Sequence, residues 1–98
     1  MEKFEDIING DKPVLVDFFA TWCGPCKMMH PVLEEVHANM GEKIRILKID
    51  IDRNQELAAK FNVRSVPTLI IFKKGNVEWR QSGAMPAQAL EQTINQYL

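Results

Sequence analysis

Apolar runs of strand length alternate with stretches of helical spacing along this chain. Phe4, Ile7 and Ile8 recur at i, i+3 and i+4, and Gly10 follows them. That spacing predicts a short helix over Glu2 to Asn9, with the glycine as its stop. Val14-Leu15-Val16-Asp17-Phe18-Phe19 is apolar on both faces of an extended chain, and Pro13 marks its start. A parallel strand covered by helices on each side has this pattern. Met29, Leu33, Val36 and Met40 then form one helical stripe. The helix starts around Gly24, with Pro25 in the first turn, where a missing N–H costs little. Pro31 should kink it and Gly41 end it.

Ile44-Arg45-Ile46-Leu47-Lys48-Ile49 reads as a second strand. Asp52 or Asn54 caps a third helix, with Leu57, Ala58 and Phe61 on its buried face. Pro67 opens a third strand, Thr68 to Phe72. Lys73-Lys74-Gly75-Asn76 is read as a solvated turn, and Val77 to Gln81 returns as a fourth strand. A last helix begins near Pro86, with Leu90, Ile94 and Leu98 on one face. The order is α-β-α-β-α-β-β-α. The strand–helix–strand unit implies a parallel pair with a right-handed crossover, and the final hairpin adds an antiparallel pair. The expected architecture is α/β: a mixed central sheet of four strands with helices on both faces. Trp79 is assigned to packing, and Met28 and Met29 to one partly exposed and one core residue.

Composition narrows the function. With 98 residues, 46% hydrophobic and 26% charged, the chain can bury one core, so residues 1–98 are taken as one domain. A net charge of −1 gives no electrostatic case for nucleic acid or an anionic membrane. No apolar run approaches the ~20 residues that span a bilayer. Met1 to Lys3 lacks a signal-peptide pattern, so the expected compartment is the cytoplasm. There a lone cysteine pair is catalytic or metal-binding more often than structural.

Both cysteines lie in Trp22-Cys23-Gly24-Pro25-Cys26, between the first strand and the long helix. Residues i and i+3 of a helix are neighbours at ~5–6 Å, within the ~4.4–6.8 Å Cα separation of a disulfide. The pair can therefore open and close with little backbone motion. Cys23 stands at the helix start, where free N–H groups and the positive dipole end favour a thiolate. It is assigned as the nucleophile, and Cys26 as the thiol that resolves the mixed disulfide. Asp17, a carboxylate in an apolar strand, is the candidate proton acceptor for Cys26, since desolvation raises its pKa. The competing reading is a solvated Asp at a frayed strand end. Gly24 and Pro25 add no positive charge between the cysteines, which favours a reductant over an oxidant. A zinc site built from Cys26 and His30, four residues apart on one helical face, with Cys23 and His37 is disfavoured, because the two histidines lie ~10 Å apart along a helix.

Taken together, Val16-Asp17-Phe18, Trp22 to Lys27, Pro31, Lys48-Ile49-Asp50-Ile51-Asp52, Ser65-Val66-Pro67-Thr68, Lys74-Gly75 and Gly83-Ala84 make the chain, from about Phe4 to Leu98, resemble the thioredoxin family. The resemblance implies the thioredoxin fold and a reductase of protein disulfides. It further implies no bound organic cofactor beyond the Cys23–Cys26 redox pair, re-reduction by a thioredoxin reductase, and a monomer. It implies that Val66-Pro67 is a cis peptide facing the disulfide and keeping metal from the thiols. The backbone of Val66 would be left to pair with an extended substrate segment. It implies an apolar docking surface from Trp22, Gly24, Pro25, Ile51, Val66, Pro67, Gly83 and Ala84. Lys48 resembles the family's lysine beside the buried carboxylate; otherwise it is an edge-strand surface lysine. In oxidising relatives a histidine commonly stands between the cysteines.

Two departures accompany the resemblance. Phe19 stands where many members carry a second Trp, so the quenched fluorescence of that pair should be altered. Many members also have an additional N-terminal strand. Without it, the strand from Ile44 to Ile49 becomes a sheet edge, which Lys43, Arg45 and Lys48 would protect or a second chain would pair with. The rival functional readings are a non-catalytic binding or assembly module, an extracytoplasmic thioredoxin-like oxidant or isomerase, and a metal or cluster scaffold.

Overall fold

The computed structural model describes residues 3–98. Four helices and four strands follow in the expected order: α1 Phe4–Ile8, β1 Val14–Phe19, α2 Gly24–Met40, β2 Arg45–Asp50, α3 Gln55–Lys60, β3 Thr68–Lys73, β4 Asn76–Ser82 and α4 Ala87–Asn95. A single turn of 3₁₀ helix, Gly41–Lys43, links α2 to β2. The first helix is shorter than its apolar spacing predicts, and Glu2 lies outside the described residues.

The sheet runs β2-β1-β3-β4. β1 pairs in parallel with β2 and antiparallel with β3, and β3 and β4 form the hairpin. Among the described residues β2 has β1 as its one ladder neighbour and lies at an edge of the sheet. β1 and β3 are central and buried on both faces. Their alternation divides the core in two. Leu15, Leu69 and Ile71 pack against Met29, Leu33 and Val36 of α2 and Leu90 and Ile94 of α4. Val14, Val16, Phe18, Ile70 and Phe72 face Ile8, Phe4 and Ile7 of α1 and Leu57 and Phe61 from the α3 region.

Several expectations need correction. Leu98 does not continue the stripe of α4: the helix ends at Asn95, and Leu98 is largely exposed beyond it. Asn54 is the N-cap residue of α3, yet its side chain donates to the carbonyl of Asp50 at 3.0 Å and caps no helical N–H. Lys73 is not a solvated turn residue. It closes β3, is half-buried, and donates to the carbonyl of Tyr97 at 3.0 Å. The turn is therefore two residues, Lys74 and Gly75, both with positive φ (53° and 83°), the backbone that right-handed strand twist selects in tight hairpins. Its amides dock on the end of α1, Lys74 N–H to Gly10 O and Gly75 N–H to Ile8 O, each at 2.9 Å. Trp79 packs half-buried against the α2/α4 core, Met29 is buried, and Met28 is exposed.

Candidate active site

β1 delivers the chain to the start of α2, and the two cysteines sit at that junction. Cys23 is the N-cap residue of α2, and its Sγ accepts the backbone N–H of Cys26 at 3.1 Å. Thus one helix-terminal donor is aimed at the sulfur, the arrangement that stabilises a thiolate when the pair is reduced. Cys23 and Cys26 form a disulfide with Cα atoms 5.3 Å apart. Cys26 is fully buried, and Cys23 exposes 4% of its surface. The order of exposure matches the sequence reading, although both residues are more enclosed than a bare helix N-terminus would leave them. Ala20 completes the small cluster, with Phe19, Ile51 and Val66 packed around it.

Asp17 lies on β1, the strand that leads into this cluster. Strand alternation puts it on the same face of β1 as Leu15, the face covered by α2. It is fully buried, and among the described residues neither carboxylate oxygen has a hydrogen-bond partner. Burial raises its pKa from 3.8 to about 6, a rise that the nearby Lys48 ammonium partly opposes. The solvated strand-end reading of Asp17 is thereby excluded. Lys48 stands opposite Asp17 in the β1–β2 register and is itself exposed. It is both an edge-strand surface lysine and the electrostatic neighbour of the carboxylate.

The loop before β3 closes the other side. Val66-Pro67 is cis, and the Val66 carbonyl oxygen lies 3.6 Å from Cys23 Sγ. Pro67 is buried, and its carbonyl accepts the N–H of Gly83 at 2.8 Å. Gly83 follows β4 with φ +97°, a conformation that glycine adopts without cost. Ile51 continues from β2 by donating its N–H to the Phe19 carbonyl at 2.9 Å. Gly24, Pro25 and Ala84 are exposed on the rim. Ala84 also lines a shallow apolar groove with Met28, Met29, Val32, Met85 and Pro86.

Trp22 is 68% exposed, and its indole Nε1–H donates to Asp52 Oδ2 at 2.9 Å. From the sequence, Asp52 is placed as a helix cap and within the Lys48 to Asp52 motif, and this contact is missed. Among the described residues, no group of three or more His, Cys, Asp or Glu is arranged to hold a metal ion. His30 lies edge-on to Phe19, ring centroids 5.6 Å apart.

A disulfide between residues i and i+3 at a helix start, a buried carboxylate on the preceding strand and a cis-proline loop against the first cysteine define a thiol–disulfide oxidoreductase. The comparisons with known proteins agree. The family model described as Thioredoxin matches residues 1–96. The thioredoxin of Bacillus subtilis is 52% identical over 85 residues, covering 87% of this chain and 82% of that protein. The thioredoxin of Haemophilus influenzae is 47% identical over 92 residues, covering 94% and 86%. In solved structures, the thioredoxin of Malassezia sympodialis superposes with a TM-score of 0.87 at 38% identity, covering 96% of this chain and 82% of its own. The chain belongs to the thioredoxin family. It is a protein-disulfide reductase whose redox centre is the Cys23–Cys26 pair.

Proposed function

We propose that Cys23 is the attacking sulfur, Cys26 the resolving one and Asp17 the group that takes the Cys26 proton. In the reduced protein the Cys23 thiolate attacks one sulfur of a substrate disulfide. That S–S bond breaks, one substrate sulfur leaves as a thiolate, and the other is held in a mixed disulfide. Cys26 then loses its proton towards Asp17 and attacks Cys23 Sγ. The mixed disulfide breaks, the second substrate thiolate leaves, and the Cys23–Cys26 disulfide closes. Two electrons pass to the substrate, and both of its sulfurs end as thiols. The observation that carries this assignment is the unpartnered, buried carboxylate of Asp17 on the α2 face, with a pKa of about 6. Such a group is mostly ionised at neutral pH and can still accept a proton.

Lys48 tunes Asp17 by holding its pKa below the value that burial alone would impose. Trp22, Gly24, Pro25, Ile51, Val66, Pro67, Gly83 and Ala84 form the docking surface, with the backbone of Val66 pairing with an extended substrate segment. The closeness of Val66 O to Cys23 Sγ and the hydrogen bond from Gly83 to Pro67 support this grouping. In the same reading residues 1–98 act as one domain, a monomer in the cytoplasm that a thioredoxin reductase returns to the dithiol. A reductant requires a compartment that keeps thiols reduced. Among the described residues no helix is long and apolar enough to cross a membrane. The test of the roles is trapping: Cys26→Ser should accumulate a mixed disulfide with a protein substrate, and Cys23→Ser should not react. Equal residual turnover in the two variants would remove the assignment.

A further inference from the structure

The Val66-Pro67 segment is held from outside by β4, at both of its ends. Thr68, fully buried, donates its hydroxyl to the Ser65 carbonyl at 2.6 Å. Ser65 Oγ donates to Ser82 Oγ at 3.2 Å, and Ser82 Oγ lies 3.5 Å from Thr68 Oγ1. A hydroxyl has one proton to give. With Thr68 committed to the carbonyl and Ser65 to Ser82, the Ser82 proton is the one directed at Thr68. The hydrogen bonds run as a chain from the Ser65 hydroxyl to Ser82, from Ser82 to Thr68, and from Thr68 to the backbone carbonyl of Ser65. Ser82 is opposite Thr68 in the β3–β4 register, so the strand pairing itself puts the hydroxyl there. The chain spans both flanks of the Val66-Pro67 peptide, whose Val66 carbonyl approaches Cys23.

A second tie lies upstream. The Arg80 guanidinium, two residues before Ser82 on β4, donates to the carbonyls of Phe61 and Asn62, the latter at 2.8 Å. Asn62 has φ +53°, where the chain turns from α3 towards the loop. Arg80 thus fixes the start of the segment that Ser82 fixes at its end. Both residues are exposed and lie outside the hydrophobic core.

We propose that Arg80 and Ser82 are positioning residues for substrate recognition. Held by β4, the backbone of Val66 is presented to an extended substrate at a fixed height over Cys23. The inference rests on the docking role assigned to Val66. It separates two substrate classes. A peptide disulfide with flanking residues uses the Val66 backbone, whereas a small aromatic disulfide meets only the thiolate.

The test uses pre-reduced protein and two probes, a disulfide-bonded peptide with extended flanks and 5,5′-dithiobis(2-nitrobenzoic acid). The half-saturating peptide concentration should rise roughly three- to tenfold in Ser82→Ala and in Arg80→Ala, the size of one lost hydrogen bond. The rate with the small disulfide should be unchanged in both, and Ser82→Thr, which keeps a hydroxyl, should behave as the parent. An unchanged peptide concentration, or an equal change with both probes, would overturn the proposal. Cys23→Ser run alongside checks the parent reading: activity surviving there would overturn the site assignment and the tether together, whereas an unaltered peptide response with an inert Cys23→Ser overturns the tether alone.

Discussion

Asp17 and Lys48 are register partners on adjacent parallel strands, one fully buried and the other exposed at the sheet edge. The ammonium stays in water while its field reaches the carboxylate, so the pair has no buried ion-pair geometry to maintain. Burial dominates and the pKa of Asp17 rises to about 6. Removing the charge with Lys48→Met should raise it further. Titration of the Asp17 carboxyl by NMR would check this, and an unchanged or lowered value would contradict the account.

The same shift makes stability depend on pH. A carboxyl with a folded pKa above its unfolded value binds more protons in the folded state. Its contribution is therefore complete below about 3.8 and is lost as pH rises through about 6. The gap corresponds to about 3 kcal/mol. Asp17→Asn should be more stable than the parent above pH 7, by about 1–3 kcal/mol once the buried amide is discounted. The gain should vanish near pH 4. Denaturant unfolding at the two pH values measures it, and a variant less stable at pH 8 would contradict the burial argument.

Proton transfer follows the same group. In the parent, the rate of mixed-disulfide resolution should climb through about pH 6 as Asp17 ionises. In Asp17→Asn that limb should disappear and the rate at pH 7 fall, by on the order of a hundredfold, the lower end of what a general base contributes. Stopped-flow rates of product release across pH 5–9 test this. Superposed profiles would remove Asp17 as the acceptor.

At the hairpin, a Cβ on Gly75 would stand 2.9 Å from Asn9 Oδ1, on a backbone with φ +83°. Gly75→Ala should cost about 1–2 kcal/mol. For a domain of this size that lowers Tm by roughly 4–16 °C. Calorimetry of the oxidised protein gives the answer directly.

The order of elements was legible because Pro13, Gly10, Gly41 and Lys74-Gly75 interrupt runs with clear periodicity. The cysteine pair was legible because its spacing and its place between strand and helix are local. What escaped was long-range. The Trp22–Asp52 hydrogen bond joins residues 30 apart, and the Ser65–Ser82 contact joins residues 17 apart. Neither has a signal in spacing, and both are made by polar side chains at exposed positions, where many partners are compatible with the pattern. Asn54 misled as a cap because its amide found the Asp50 carbonyl instead. Lys73 misled because a lysine next to a turn is usually solvated, whereas here the backbone carbonyl of Tyr97, just past α4, meets it.

The central claim is that this dithiol gives electrons to protein disulfides. Gly24 and Pro25 place no charge between the cysteines to stabilise the thiolate beyond the helix terminus, so the disulfide form should be comparatively favoured. Equilibration of the Cys23–Cys26 pair with a thiol buffer measures this. A reduction potential more negative than roughly −240 mV is the expected result, and a value between about −180 and −120 mV, the range of isomerases and oxidants, would contradict it.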